Sequence, residues 1–169
     1  MPLAVANIHV APFRDIALMD STIRREDVWE AISDDTTPDN FSMRDLVADP
    51  HNVFFGVWKD GAYCGFFGFY HKTEFEGVYE MHTAMHKECR GQCALTAGWK
   101  AVDWLFMNTG CRGVITRVLD ANPAMRMMMA VAKWKRVAEK ICYAIRNGQP
   151  CSGSIYALNR EDWSNLYFA

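Results

Sequence analysis

A chain of 169 residues, half of them hydrophobic and 13% aromatic, is long enough to bury one core and too apolar to remain disordered. A formal net charge of −2 argues against nucleic acid as a partner, and no apolar run reaches the ~20 residues of a membrane span. The opening Met1–Val10 carries no secretory n-region and h-region, and six scattered cysteines read as reduced thiols of a cytoplasmic protein. In chain order, Asn7–Phe13 reads as a strand, and Ile16, Leu18, Met19, Ile23, Val28 and Ile32 recur at helical spacing. Asp34–Asn40 is a polar loop. Ser42 with Asp45 gives an N-cap signal for a short helix closed by Asp49-Pro50. Asn52–Trp58 and Tyr63–His71 are strand-like around the turn Lys59-Asp60-Gly61, and Val78–Met85 follows as a third strand. Gly65 and Gly68 mark a bulge or a close backbone approach.

From Leu95 the period changes: Leu95, Trp99, Val102 and Phe106 share a helical face, with Gly110 placed as a C-cap. Arg112–Leu119 is a short β-branched strand, parallel to Val78–Met85 because a helix crosses between them. Asn122-Pro123 opens a helix over Ala124–Trp134. Val137–Arg146, ended by Asn147-Gly148, and Ser154–Leu158 are the last strands. The expected architecture is a mixed α/β domain spanning residues 1–169, with a mostly antiparallel sheet and helices on both faces.

The chemistry gathers in Tyr79–Leu95, YEMHTAMHKECRGQCAL. A pleated strand sends Glu80 and His82 to one side, and Arg90-Gly91-Gln92 turns the chain into a helix start. Unpaired amides and the dipole at such a start suit an anion. A titratable pair beside an anion cradle is what acyl transfer from a phosphorylated carrier such as coenzyme A requires.

Element order and several stretches resemble the GNAT acyltransferase superfamily, most closely its RimJ/RimL branch. Glu80 stands where that branch often has Glu at the start of the fourth strand. Arg90-Gly91-Gln92 is similar to the opening of the pyrophosphate loop, R-G-x-G-x-G/A. Asn122-Pro123-Ala124 resembles the opening of the family's helix four, and Lys133-Trp134 falls where Gly-Phe ends it. Tyr143–Gly148 resembles the penultimate strand with its turn, and Ile155–Trp163 the final strand, y-s-L-x-r-E-E/D-W. Cys93 and Leu95 replace the loop's later glycines, so the Leu95 side chain is expected to crowd the pyrophosphate; Met125 and Met129 stand where relatives carry Ser and a thiolate-protonating Tyr.

The resemblance implies an N-acetyltransferase moving an acetyl group from acetyl-CoA to a primary amine, a protein or peptide N-terminus among the acceptors. Glu80 is the first choice for general base and His82 the second. An ordinary carboxylate is too acidic for the task, so burial raising the Glu80 pKa, or a water relay, would help. Backbone groups of Thr83, Ala84 and Met85 would pair with the pantetheine arm. Arg90, Gly91, Gln92, Cys93, Ala94, Leu95 and Thr96 would hold the pyrophosphate, with Asn122 beside them. No metal is expected. The alternative is a GNAT-fold interaction protein without catalysis.

Plainer readings exist for each feature. Glu80 can be a salt-bridged carboxylate, His82 a half-buried ring, Arg90-Gly91 an ordinary turn and Asn122 a helix cap. His82, His86, Cys89 and Cys93 would form a zinc set only on one continuous helix, which Gly91 interrupts. Cys93 at a helix start resembles an activated thiol, although a buried loop thiol is the plainer reading. The methionines 125 and 127–129 read as core on one side and a ligand wall on the other, and the basic residues from Lys133 to Arg146 as a solvated face.

Overall fold

The computed structural model describes residues 6–168; Met1–Val5, part of the segment read for a leader, and Ala169 lie outside it. Among the described residues seven strands form one sheet in the order β1 (Ile8–Pro12), β2 (Val53–Lys59), β3 (Ala62–His71), β4 (Val78–Met85), β5 (Gly113–Leu119), β7 (Gln149–Asn159), β6 (Lys135–Arg146). Every pairing is antiparallel except β4 with β5. Among the described residues six α-helices connect and flank the strands: α1 (Ile16–Ile23), α2 (Glu26–Ile32), α3 (Arg44–Ala48), α4 (Gln92–Asn108), α5 (Pro123–Val131) and α6 (Arg160–Phe168).

β2 and β3 read as near-continuous apolar runs because both their faces are covered. Phe55, Val57, Phe67 and Phe69 point into one core with Ala97, Ala101, Leu105 and Phe106 of α4. Phe54 and Phe66 point the other way, against Met19 and Ile23 of α1, Val28 of α2 and Val47 of α3. Burying each such side chain contributes roughly 1.5–3 kcal/mol. Gly65 has φ +129°, and a Cβ there would collide with the Ala84 carbonyl. The close approach expected at that glycine is thus real, and it draws β3 against the Ala84–Met85 end of β4.

The Asn147-Gly148 turn closes the β6–β7 hairpin with both residues at positive φ. Asn122 caps α5 as expected, its Oδ1 accepting from the Met125 amide at 3.1 Å. Lys133 adopts φ +61°, a backbone conformation that favours glycine.

Several boundaries differ from expectation. Arg160–Glu161–Asp162–Trp163 is helix, not the end of a strand, since Asn159 Oδ1 caps the Asp162 amide at 2.7 Å and acids fill the first turn. β7 begins at Gln149 rather than Ser154 because Pro150 and Gly153 sit inside a long hairpin arm. α5 ends at Val131, and α4 is closed by Thr109 rather than Gly110. Met43, not Ser42, precedes the first turn of α3. Cys64 of β3 and Cys89 are paired as a disulfide, with Cα atoms 6.0 Å apart. The expectation of six reduced thiols fails for this pair, because the 3₁₀ turn after β4 returns Cys89 to Cys64 on β3. Cys93, Cys111, Cys142 and Cys151 are free.

Candidate active site

β4 and β5 pair only from Val78 to Glu80 and from Gly113 to Ile115. Beyond that point the strands part, while β4 stays paired with β3 through Met85. The buried Thr116 hydroxyl donates to the Met81 carbonyl at 3.0 Å and fixes the crotch of the fork. One edge of β4 is therefore open over Thr83–Met85. Ala84 and Met85 bury their side chains in opposite cores, so this edge offers a ligand backbone groups rather than side chains.

At the top of the fork the 3₁₀ turn Lys87–Cys89 leads to Gly91, the N-cap of α4, with φ 68° and ψ −131°. That conformation is open to glycine alone. No side chain caps the helix, so the amides of Gln92, Cys93 and Ala94 keep the orphan donors of a helix start; the first intrahelical bond runs from the Leu95 amide to the Gly91 carbonyl at 3.0 Å. Leu95 does not crowd this start. It packs, half-buried, against the core on the α4 side of the sheet. Thr96 receives a hydrogen bond from the Gln92 side chain at 3.4 Å.

Arg90 turns away from the helix start. Its Nη2 donates to the Asp27 carbonyl at 2.6 Å and its Nε to the Met85 carbonyl at 3.3 Å. Asp27 also accepts from the Lys87 amide at 2.9 Å, so the Arg90 side chain ties the loop to α2. Asn122 has its side-chain oxygen committed to the cap of α5. Burial pushes the Cys93 thiol pKa up, which removes the activation that a nucleophile would need. Cys89 is in the disulfide and His86 lies 3.4 Å from the Thr22 hydroxyl. His82, His86, Cys89 and Cys93 therefore do not converge. Among the described residues no group of three or more potential ligands could hold a metal.

The titratable cluster sits below the fork on the α1–α3 face. Glu80 is 4% exposed. Arg117 of β5 holds its carboxylate through Nε and Nη2, both at 3.0 Å, Lys72 Nζ reaches it at 3.2 Å, and His82 Nε2 lies 3.4 Å away. Burial alone would raise the Glu80 pKa. The hydrogen bond and charge of His82, the charge of Arg117 and the hydrogen bond from Lys72 outweigh it and bring the pKa down to about 2. The upward shift anticipated for a carboxylate base does not occur, because burial comes with three partners.

His82 is held from two sides, by Glu80 and by the Tyr70 ring, stacked at 4.4 Å between centroids. Its side chain is 49% exposed. Above β5, the loop after α2 is tied to the β6–β7 hairpin: Asp35 accepts from the Asn147 and Gly148 amides at 3.0 and 2.7 Å.

Lys72, Tyr70, Thr116 and Arg117 were not among the residues singled out from sequence. Tyr70 lies directly across the hairpin from Glu80, so counting outward from the Lys72–Gly77 turn would have found it. Arg117, 37 positions from Glu80, has no local signal, since only the parallel register brings it there.

A seven-stranded, mostly antiparallel sheet forked at its parallel β4–β5 pair, with an uncapped helix start above the fork, is the GNAT fold. Among solved structures, the spermidine N-acetyltransferase of Vibrio cholerae in complex with CoA and spermine matches with a TM-score of 0.77 at 11% identity, over 94% of this chain and 98% of that one. A protein described as a probable acetyltransferase matches with a TM-score of 0.62 at 19% identity, over 71% and 68%. At these identities the likeness establishes architecture. Residues 30–168 match the DUF2824 family, described as a protein of unknown function, and the chain belongs to that family. No curated protein sequence matches it. Among the described residues no helix is long and apolar enough to cross a membrane.

Proposed function

We propose that this chain is an N-acetyltransferase that moves an acetyl group from acetyl-CoA to a primary amine, with peptide N-termini among the acceptors to be tested. The observation that carries the reading is the fork of β4 and β5 lying beneath three uncapped amides of α4. In this reading the pyrophosphate sits on the amides of Gly91, Gln92, Cys93 and Ala94, where the helix dipole favours it. The pantetheine arm lies along the open edge of β4 at Thr83–Met85 in the manner of an added strand.

The acceptor amine approaches from the α1–α3 face. His82 is the general base and Glu80 its positioning residue: a carboxylate with a pKa near 2 is a poor proton acceptor at neutral pH, while imidazole chemistry suits it. The amine nitrogen attacks the thioester carbonyl, its proton passes to His82, the carbon–sulfur bond breaks, and the departing thiolate takes up a proton from the imidazolium or solvent. Glu80, tied to Arg117 and Lys72, holds the His82 ring in place. The place of Glu80 and the Tyr143–Gly148 hairpin supports the RimJ/RimL branch within the superfamily.

One observation favours a second reading, a GNAT-fold interaction protein without catalysis. Met129, at 3% exposure, is buried where relatives place a proton-donating tyrosine. Thermal unfolding with acetyl-CoA, followed by mass spectrometry of a peptide bearing one free amine, separates the two. The enzyme reading expects ~2.7 kcal/mol of added stability at 100 times the dissociation constant, and a peptide heavier by one acetyl group. A folded protein that ignores every acyl-CoA offered would leave only the interaction reading.

A further inference from the structure

Glu80 and His82 stand two residues apart on one face of β4, and the β3 residues opposite them differ sharply in size. Gly68 lies across from His82, and Tyr70 lies across from Glu80. A Cβ at Gly68 would come within 2.8 Å of Tyr70 Cε1 and 3.2 Å of Phe54 Cε1, so the Tyr70 ring already fills the space that Gly68 leaves open. Tyr70 therefore leans back over Gly68 and reaches the neighbouring strand. There it stacks on His82, with centroids 4.4 Å apart and planes 25° from parallel. The buried Phe54 closes on Tyr70 at 5.9 Å and ties it to the core on the α1–α3 side.

The two contacts on His82 restrict different freedoms. An imidazole turns readily about its last side-chain bond, a broad and nearly two-fold torsion. The Tyr70 face fixes the plane of the ring but leaves both flips open, since either one stacks. Glu80 makes the choice. Its Oε1 lies 3.4 Å from Nε2, where a lone pair would be repelled by the carboxylate and an N–H is attracted. The carboxylate is not free to step aside, because Arg117 holds both its oxygens and Lys72 one of them. In a neutral ring the proton then belongs to Nε2 and the lone pair to Nδ1. Among the described residues Nδ1 has no hydrogen-bond partner.

We propose that Tyr70, seated over Gly68, is a positioning residue for acetyl transfer, and that Nδ1 of His82 is the nitrogen that takes the acceptor's proton. The proposal rests on the acetyl-transfer reading above and adds the accepting atom and the residues that present it. As the amine nitrogen bonds to the thioester carbon, its proton passes to the Nδ1 lone pair and the carbon–sulfur bond breaks to give the thiolate. Nε2 keeps its own proton against Glu80 throughout, so the ring need not turn between taking up a proton and releasing it.

The test compares the full chain with Gly68→Ala, Tyr70→Leu and Tyr70→Phe. Ring-nitrogen NMR shifts of His82 are recorded at about pH 9, where imidazole is neutral. Beside them, kcat is measured with the peptide bearing one free amine, and acetyl-CoA affinity by calorimetry. The parent should show one tautomer, with Nε2 of pyrrole type and Nδ1 of pyridine type. Gly68→Ala displaces the Tyr70 ring and Tyr70→Leu removes it. Each should move both shifts toward the mixture of a free imidazole. Each should also lower kcat by about tenfold, the order a stacked pair contributes, with acetyl-CoA affinity kept within about threefold. Tyr70→Phe keeps the ring and should match the parent throughout. A parent ring protonated at Nδ1, or one with free-imidazole shifts, overturns the proposal. So does an unchanged tautomer or an unchanged kcat in folded Gly68→Ala, which decides alone if Tyr70→Leu does not fold. The nitrogen shifts do not depend on turnover. The expected shifts in a chain that acetylates no amine would overturn the transfer reading and the role of Nδ1, while keeping Tyr70 as the residue that sets the ring.

Discussion

The two sides of the β4–β5 fork are built from different materials. Above it, the candidate phosphate seat is made of backbone: Gly91 in a glycine-only conformation, three amides, and the open edge of Thr83–Met85. Below it, the candidate acceptor side is made of side chains, with Glu80, His82, Lys72, Arg117 and Tyr70 tied together. The difference teaches where mutations should act. A seat of amides tolerates changes of side chain so long as the backbone holds, so Cys93 and Leu95 need not disturb it. A side-chain cluster breaks when one member goes.

The largest effect expected from that contrast is at His82. Removing a general base costs typically 10²–10⁴ in rate. His82→Ala should therefore lower kcat by that order while acetyl-CoA affinity, measured by calorimetry, stays within about threefold. Equal losses in both would join the two sides of the fork into one site.

Next comes Glu80. A folded-state pKa of about 2 against an ordinary 4.5 corresponds to roughly 3 kcal/mol of stability. Because the pKa is depressed, that stability is fully present above about pH 5 and is lost as pH falls through the folded value. Glu80→Gln should remove most of it at pH 7 and flatten the acid limb of the unfolding curve followed in urea. An unchanged acid limb would mean that Lys72 and Arg117 do not hold the carboxylate in solution. Smaller again is Gly91→Ala. A side chain in that conformation costs about 1–3 kcal/mol, so both denaturation midpoint and acetyl-CoA affinity should fall.

The smallest effect separates backbone from side chain on the upper side. Arg90→Ala should leave acetyl-CoA affinity within about threefold, because the guanidinium is committed to Asp27 and Met85 rather than to a ligand. Its loss should appear as under about 1 kcal/mol of stability, as for other exposed pairs. A tenfold drop in affinity would put Arg90 back among the phosphate contacts.

The same contrast explains what could be read from sequence. β4 was legible to the residue, because Val78–Met85 alternates and ends at a turn, and Glu80 and His82 came with it. The helix start at Gly91 was legible from the glycine itself. Arg90 was assigned to the pyrophosphate loop on its resemblance to R-G-x-G-x-G/A at a helix start, and its contact with α2, 63 positions away, has no local signal. Arg117 reaches Glu80 only through the parallel register, and Cys89 reaches Cys64 only through the 3₁₀ turn after β4; no local pattern encodes either. The helix Arg160–Phe168 was legible and missed: Asn159 followed by Glu161 and Asp162 is an N-cap with an acidic first turn, overridden by resemblance to a final strand.

The central claim, a diphosphate held by bare amides over the fork, is tested most directly by following backbone amide NMR shifts as CoA is titrated into the folded chain. Saturable movement of the Gly91, Gln92, Cys93 and Ala94 amides, with Thr83–Met85 moving in step, is the predicted result. Saturation by CoA with those amides unmoved, or no saturation at all, would contradict it.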